Sequence, residues 1–147
     1  MVIDAIEYIN HIFLLVICFD LWFYLSHRIL HSHLYFIHKI HHEANHELLN
    51  WKDTFKAHVL ETPFQSLGLF TPYLYLEFNK NLFIITMFLL TVRGSLRHDV
   101  RFIWLVGNHH ILHHKYPKYN YGDYWLDSLL STDYPFRNEC EVGLIYY

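Results

Sequence analysis

Cysteine is scarce in this chain of 147 residues: Cys18 lies in an apolar run, Cys140 near the end, and no C-x-x-C occurs. That excludes a disulfide framework and a thiolate metal cluster, and it points to a reducing compartment. Charge of one sign is lacking too. The formal net charge is −3 and the basic residues are scattered, so no stripe is present that would bind nucleic acid. The dinucleotide fingerprint G-x-G-x-x-G is absent. Near the N-terminus stand Asp4 and Glu7 where a cleavable signal would carry lysine or arginine, and no small-residue cleavage site follows the apolar run. The first apolar segment is therefore expected to stay.

Apolar and aromatic side chains are plentiful, at 53% and 19% of residues, which is high for a soluble protein with room for one domain. The expectation is an all-α integral membrane protein with a single domain over residues 1–147. Residues 5–26 form a first membrane span, interrupted by Asp20. Residues 60–77, with Pro63, Gly68 and Pro72, form a second, and residues 82–97 a third. The uninterrupted apolar run in the third covers only 82–90, short of the ~20 residues that cross a bilayer, so the last two spans fit a hairpin that dips partly into the membrane. Residues 43–59 are polar with some aromatics, the pattern of an interfacial helix pair. Basic residues follow spans one and three, which puts the N-terminus outside and the histidine-rich segments in the cytosol as a helical cap.

Histidine is the residue in excess, with 14 in the chain. His27 and His31 are four apart; His38, His41 and His42 form H-x-x-H-H, and His110, His113 and His114 repeat it. Residues three and four apart share a helix face, so each group can aim its imidazoles at one point. On a straight helix His27 and His42 would stand about 22 Å apart, so the chain must fold back between them, within residues 32–36. Eight imidazoles in three groups exceed the needs of one tetrahedral site and suggest a dimetal centre. Asp20, two turns before His27, is a candidate to orient a ligand imidazole, or else a capping acid. His11, His33 and His46 fit no pattern, and His109 points about 100° off the ligand face. Imidazole suits zinc, iron, copper and nickel alike, so ligand type leaves the metal open.

Several stretches together, in order along residues 16–133, resemble the fatty acid hydroxylase superfamily, which contains sterol desaturases, sterol methyl oxidases and carotenoid hydroxylases. They are D-L-W-F-Y-L-S-H-R-I-L-H at 20–31, H-K-I-H-H-E at 38–43 and H-I-L-H-H at 110–114. A-H-V-L-E at 57–61 is similar to the family's H-P-x-E segment, and N-Y-G-D-Y-W-L-D-S-L-L-S-T at 120–132 to its N-x-G-x-x-x-x-D-x-L-F-G-T ending. Ser131 stands where glycine is usual, and the chain is short for the family.

The resemblance implies a non-haem centre of two iron ions that activates dioxygen with two electrons and hydroxylates or desaturates a lipid: a sterol, fatty acyl or isoprenoid chain. It implies ligands at His27, His31, His38, His41, His42, His110, His113 and His114, with His98 in L-R-H-D-V as a further one. His58 is a candidate for a further ligand, or else supports ligands from behind together with Glu61; Asp123 and Asp127 are candidates for the same supporting role and otherwise read as turn residues. Trp22, Tyr24, Trp104 and Tyr124 are candidates to line a lipid entrance. The implied partners are a lipid substrate, the membrane and a separate electron donor of cytochrome b5, ferredoxin or reductase type, with a homo-oligomer as a further possibility and no nucleic acid. The implied location is the endoplasmic reticulum in a eukaryote or the inner membrane in a bacterium. The alternative is a non-enzymatic membrane protein, a degenerate homologue holding zinc on the same residues. An access route to the metals separates the two.

Overall fold

The computed structural model describes residues 2–145, and among these every regular element is a helix. Helix α1 (Val2–Ser32) has no glycine or proline to break it, so it runs through the first expected span and on past His27 and His31. It ends where the N–H groups of His33 and Leu34 both donate to the Ile29 carbonyl, at 2.8 and 3.2 Å. Helix α2 (Tyr35–His42) starts immediately afterwards. The fold-back thus falls within residues 32–36, as the histidine spacing requires. Among the described residues α1 is the one helix long and apolar enough to cross a bilayer, over Ala5–Ser32 with a mean hydropathy of 1.7. Ile6, Ile9, Phe13, Leu21 and Leu25 lie exposed along it.

Two expectations are revised. Residues 43–59 form no helix pair; they are turns around a 3-10 helix at Trp51–Phe55, capped by Asn50 in a capping box with Asp53. The second expected span is not one helix either. A short α3 (Glu61–Ser66) passes into a 3-10 stretch at Leu67–Leu74 that contains Pro72. This segment lies flat against α1, for a Cβ on Gly68 would stand 2.5 Å from Trp22 Cβ and 2.7 Å from the Cys18 carbonyl. Trp22 Nε1–H also donates to the Phe64 carbonyl at 2.7 Å. Gly68, Leu69 and Pro72 are buried while Leu67, Phe70 and Leu74 stay exposed, and Pro72 accounts for the break from a regular α-helix.

Helix α4 (Lys80–Arg97) starts at Asn79, whose Oδ1 accepts from the Asn81 and Leu82 N–H groups at 3.1 and 3.2 Å. It packs on α1 and carries two arginines that meet acids from elsewhere. Arg93 bonds Asp20 of α1 and, at 3.0 Å, Asp123; Arg97 bonds Asp123 and the Gly122 carbonyl. Three short helices follow: α5 (Ile103–Val106), α6 (His109–Lys115) and α7 (Tyr124–Leu129). Asn120 and Ser131 take left-handed conformations, with φ of 59° and 54°. Beyond α7 the chain returns to α6, where Asn108 exchanges two hydrogen bonds with the Glu141 backbone.

Candidate metal centre

The helices gather the histidines into two clusters. His27, His31, His38, His42 and His113 form one, and His41, His98, His110 and His114 the other; within each cluster one nitrogen per ring lies within 4.8 Å of the rest. Each histidine that the sequence and the resemblance single out as a ligand is in one of the two. Helical geometry explains the division. Adjacent residues diverge by about 100°, so His41 and His42 on α2 face different clusters, as do His113 and His114 on α6. His27 and His31 share a face of α1, and His98 enters from the end of α4.

Hydrogen bonds behind the rings fix which nitrogen faces inward. The Nδ1 atoms of His27 and His113 meet the carbonyls of Tyr121 and Tyr119 at 2.5 and 2.6 Å. Those of His41 and His98 meet the carbonyls of Lys56 and Gly94 at 3.1 and 2.8 Å, and that of His38 meets Glu61 Oε1 at 2.8 Å. A carbonyl only accepts, so the Nδ1 atoms of His27, His113, His41 and His98 carry the proton and each Nε2 is a bare lone pair; Glu61, pushed up to about 8 by burial, accepts from His38 in the same way when ionised. Yet Nε2 atoms stand close together: His27 to His38 at 2.9 Å, His41 to His98 at 2.9 Å, His98 to His110 at 2.9 Å and His31 to His113 at 3.0 Å. Where carbonyls hold the proton on both Nδ1 atoms, as in His41 and His98, two lone pairs facing at that range repel unless a cation lies between them. Nitrogens bound to one ion at about 2.1 Å would lie roughly 3.0–3.4 Å apart, so the clusters have the spacing of ligand sets.

Burial keeps the imidazoles neutral, as ligands must be. His42 and His98 are pushed down to about 3 and His41 to about 4, in each case chiefly by burial. His38, His110, His113 and His114 are also lowered, by burial first and then by neighbouring imidazoles. His114 is buried with neither ring nitrogen bonded, and the same holds for Nδ1 of His42. Those orphaned atoms, together with the all-nitrogen donor set, suit a transition-metal ion in each cluster.

The supporting residues depart from expectation. Glu61 stands behind His38, but His58 joins neither cluster: its Nδ1 accepts from the Leu60 N–H at 3.2 Å, and its carbonyl accepts from the Glu61 N–H at 2.9 Å. Asp20 and Asp123 bond arginines and not imidazoles. Asp127 receives His109 Nε2–H at 3.0 Å, which accounts for His109 lying off the ligand face. The sequence reading missed the carbonyls of Lys56, Gly94, Tyr119 and Tyr121, which residue identity does not reveal. It also missed Arg93 and Arg97, although two arginines four apart in an apolar helix signal that acids must face them.

A cavity of about 180 Å³ reaches both clusters, touching His27 and His38 of the first and His41, His98 and His110 of the second. Phe19, Phe23, Met87 and Leu90 supply apolar wall. The aromatics expected at an entrance, Trp22, Tyr24, Trp104 and Tyr124, do not line it; Phe19, Phe23 and Phe55 do. A family model described as fatty acid hydroxylase matches residues 12–132. No curated protein and no solved structure matches the chain.

Proposed function

Since this chain belongs to the fatty acid hydroxylase family, we propose that it is a membrane-bound di-iron oxygenase that hydroxylates or desaturates a lipid. The observation that carries the reading is the convergence of nine histidine rings in two clusters, with Nε2 atoms facing one another at 2.9 to 3.2 Å and both clusters opened to one apolar-walled cavity. Iron is preferred to zinc because an unactivated C–H bond calls for redox chemistry with dioxygen, which zinc lacks.

The five-histidine and four-histidine clusters each hold one ion, and the pair supplies dioxygen activation when bound. The chain's own residues do the rest. Phe19, Phe23, Met87 and Leu90 grip an apolar chain and exclude water. Nδ1 protons held by carbonyls and Glu61 keep the ligand rings turned inward. The arginines beside the cavity are matched by Asp20 and Asp123, so the lining offers a lipid tail paired charge. The electrons come from a separate protein, and the histidine clusters face the cytosol beside α1. The closed zinc site of the alternative reading needs no such cavity.

The test is metal analysis with Mössbauer spectroscopy on detergent-purified protein from iron-supplemented cells. Two coupled irons per chain, followed by dioxygen-dependent lipid turnover with a reductase, support the reading. Zinc alone, with no iron taken up on anaerobic reconstitution, overturns it.

A further inference from the structure

Asp127 is fully buried and touches no ligand candidate, yet four donors converge on it. Oδ1 accepts from the Tyr121 N–H at 2.8 Å and the Thr132 hydroxyl at 2.7 Å; Oδ2 accepts from the Gly122 N–H at 2.8 Å and His109 Nε2–H at 3.0 Å. These bonds pin the backbone of residues 119–122. Asn120 pins it from the other side. Its Nδ2 donates to the His109 carbonyl at 2.8 Å, its Oδ1 accepts from the Tyr134 N–H at 2.7 Å, and its own N–H donates to the Thr132 carbonyl at 2.8 Å.

That segment supplies the Tyr119 and Tyr121 carbonyls behind His113 and His27. Both histidines belong to the five-histidine cluster. In the four-histidine cluster His41 and His98 rest on the carbonyls of Lys56 and Gly94, in parts of the chain that Asp127 does not bond. We propose that Asp127, with Asn120, is a positioning residue for the metal of the five-histidine cluster, acting through two backbone carbonyls that hold His27 and His113 in the ligating tautomer; the four-histidine cluster meets these two residues only through His109, beside His110. This rests on the dimetal reading above but not on iron or on oxygenase activity.

Asp127→Asn puts an NH2 where an acceptor must be, so at least one of the donors from the pinned segment or its neighbours is left facing a donor. Asn120→Gly keeps the left-handed backbone at ease and removes only the side-chain ties. The experiment is cobalt(II) titration of the detergent-solubilised full chain, read by ligand-field absorption and by metal per chain after gel filtration. Wild type is measured first, and fewer than two cobalt ions per chain would count against the dimetal reading itself. In the variants one of the two affinities is expected to fall ~10–100-fold, the usual effect of disturbing a ligand's outer partner, while the other stays within twofold. Introducing His113→Ala identifies the affected site: Asp127→Asn should then have no further effect on the remaining ion. Equal weakening of both ions, or no change in either, overturns the proposal. If Asp127→Asn does not fold, Asn120→Gly carries the same test.

Discussion

Stripping the metals from this protein and lowering the pH should unfold it well before most of its carboxylates are protonated. In the absence of ions the clusters are packed neutral imidazoles, and His41, His42 and His98 ionise at about 4, 3 and 3 in the folded chain. In the unfolded chain a histidine ionises near 6.5. Above that value both states are neutral and these groups contribute nothing to the pH dependence. Below it the unfolded chain takes up protons that the fold refuses, so stability falls as pH drops from about 6.5 towards the folded values of 3 to 4. At pH 5 each histidine costs about 2 kcal/mol, the 1.5 units below 6.5 at 1.36 kcal/mol each. His38, His110, His113 and His114, lowered by the same burial, add to the effect; the three alone are neighbours whose effects overlap, and their sum is on the order of 5 kcal/mol, comparable with the whole stability of an ordinary domain. For a chain of this length that is a fall of roughly 10–20 °C in melting temperature between pH 7.5 and pH 5. The assay is thermal unfolding in detergent after chelation, followed by circular dichroism at both pH values. His98→Gln removes one of the titrating rings and should shrink the fall by up to about 2 kcal/mol. An equal melting temperature at the two pH values, or a fall untouched by His98→Gln, would refute the argument.

Three further outcomes are expected. His98→Ala should lose the ion of the four-histidine cluster and keep the other, whereas exposed His33→Ala should keep both; metal per chain decides it. Asp123→Ala should cost about 3–5 kcal/mol in thermal unfolding, because it strips a carboxylate from both Arg93 and buried Arg97, and Asp20→Ala should cost less, because Arg93 keeps Asp123. An Asp20→Ala variant as damaged as Asp123→Ala would contradict that network. Ser131→Gly should raise stability by about 1 kcal/mol, since an exposed serine at φ 54° carries the steric cost of a left-handed residue; an unchanged or lower melting temperature would count against it.

The histidine pattern was readable because a helix converts spacing into direction. The same rule that set His109 aside also splits each H-H pair, although the spacing of three and four suggested that every group shares one focus. Asp20 was placed on a sensible face, but its partner Arg93 lies 73 residues away, and sequence distance conceals such a pairing. The apolar stretch at 60–77 was legible as a membrane-facing segment and illegible as a shape, since hydrophobicity does not say whether a segment is one helix or an α-turn followed by a 3-10 run. Ser131 was noticed as a departure from glycine, and its positive φ supplies the reason a glycine is usual there.

The adjacent pairs His41–His42 and His113–His114 act as a ruler. Each pair sends one ring to one cluster and the next ring to the other, on two different helices. The gap between the two clusters is therefore held by peptide bonds at two places, and filling them with cobalt, zinc or iron should hardly stretch it. Sliding α2 lengthwise past α6 would disturb both ions together, so the chain can tune the chemistry of one ion by its backing carbonyls but can alter the spacing only by rebuilding a helix.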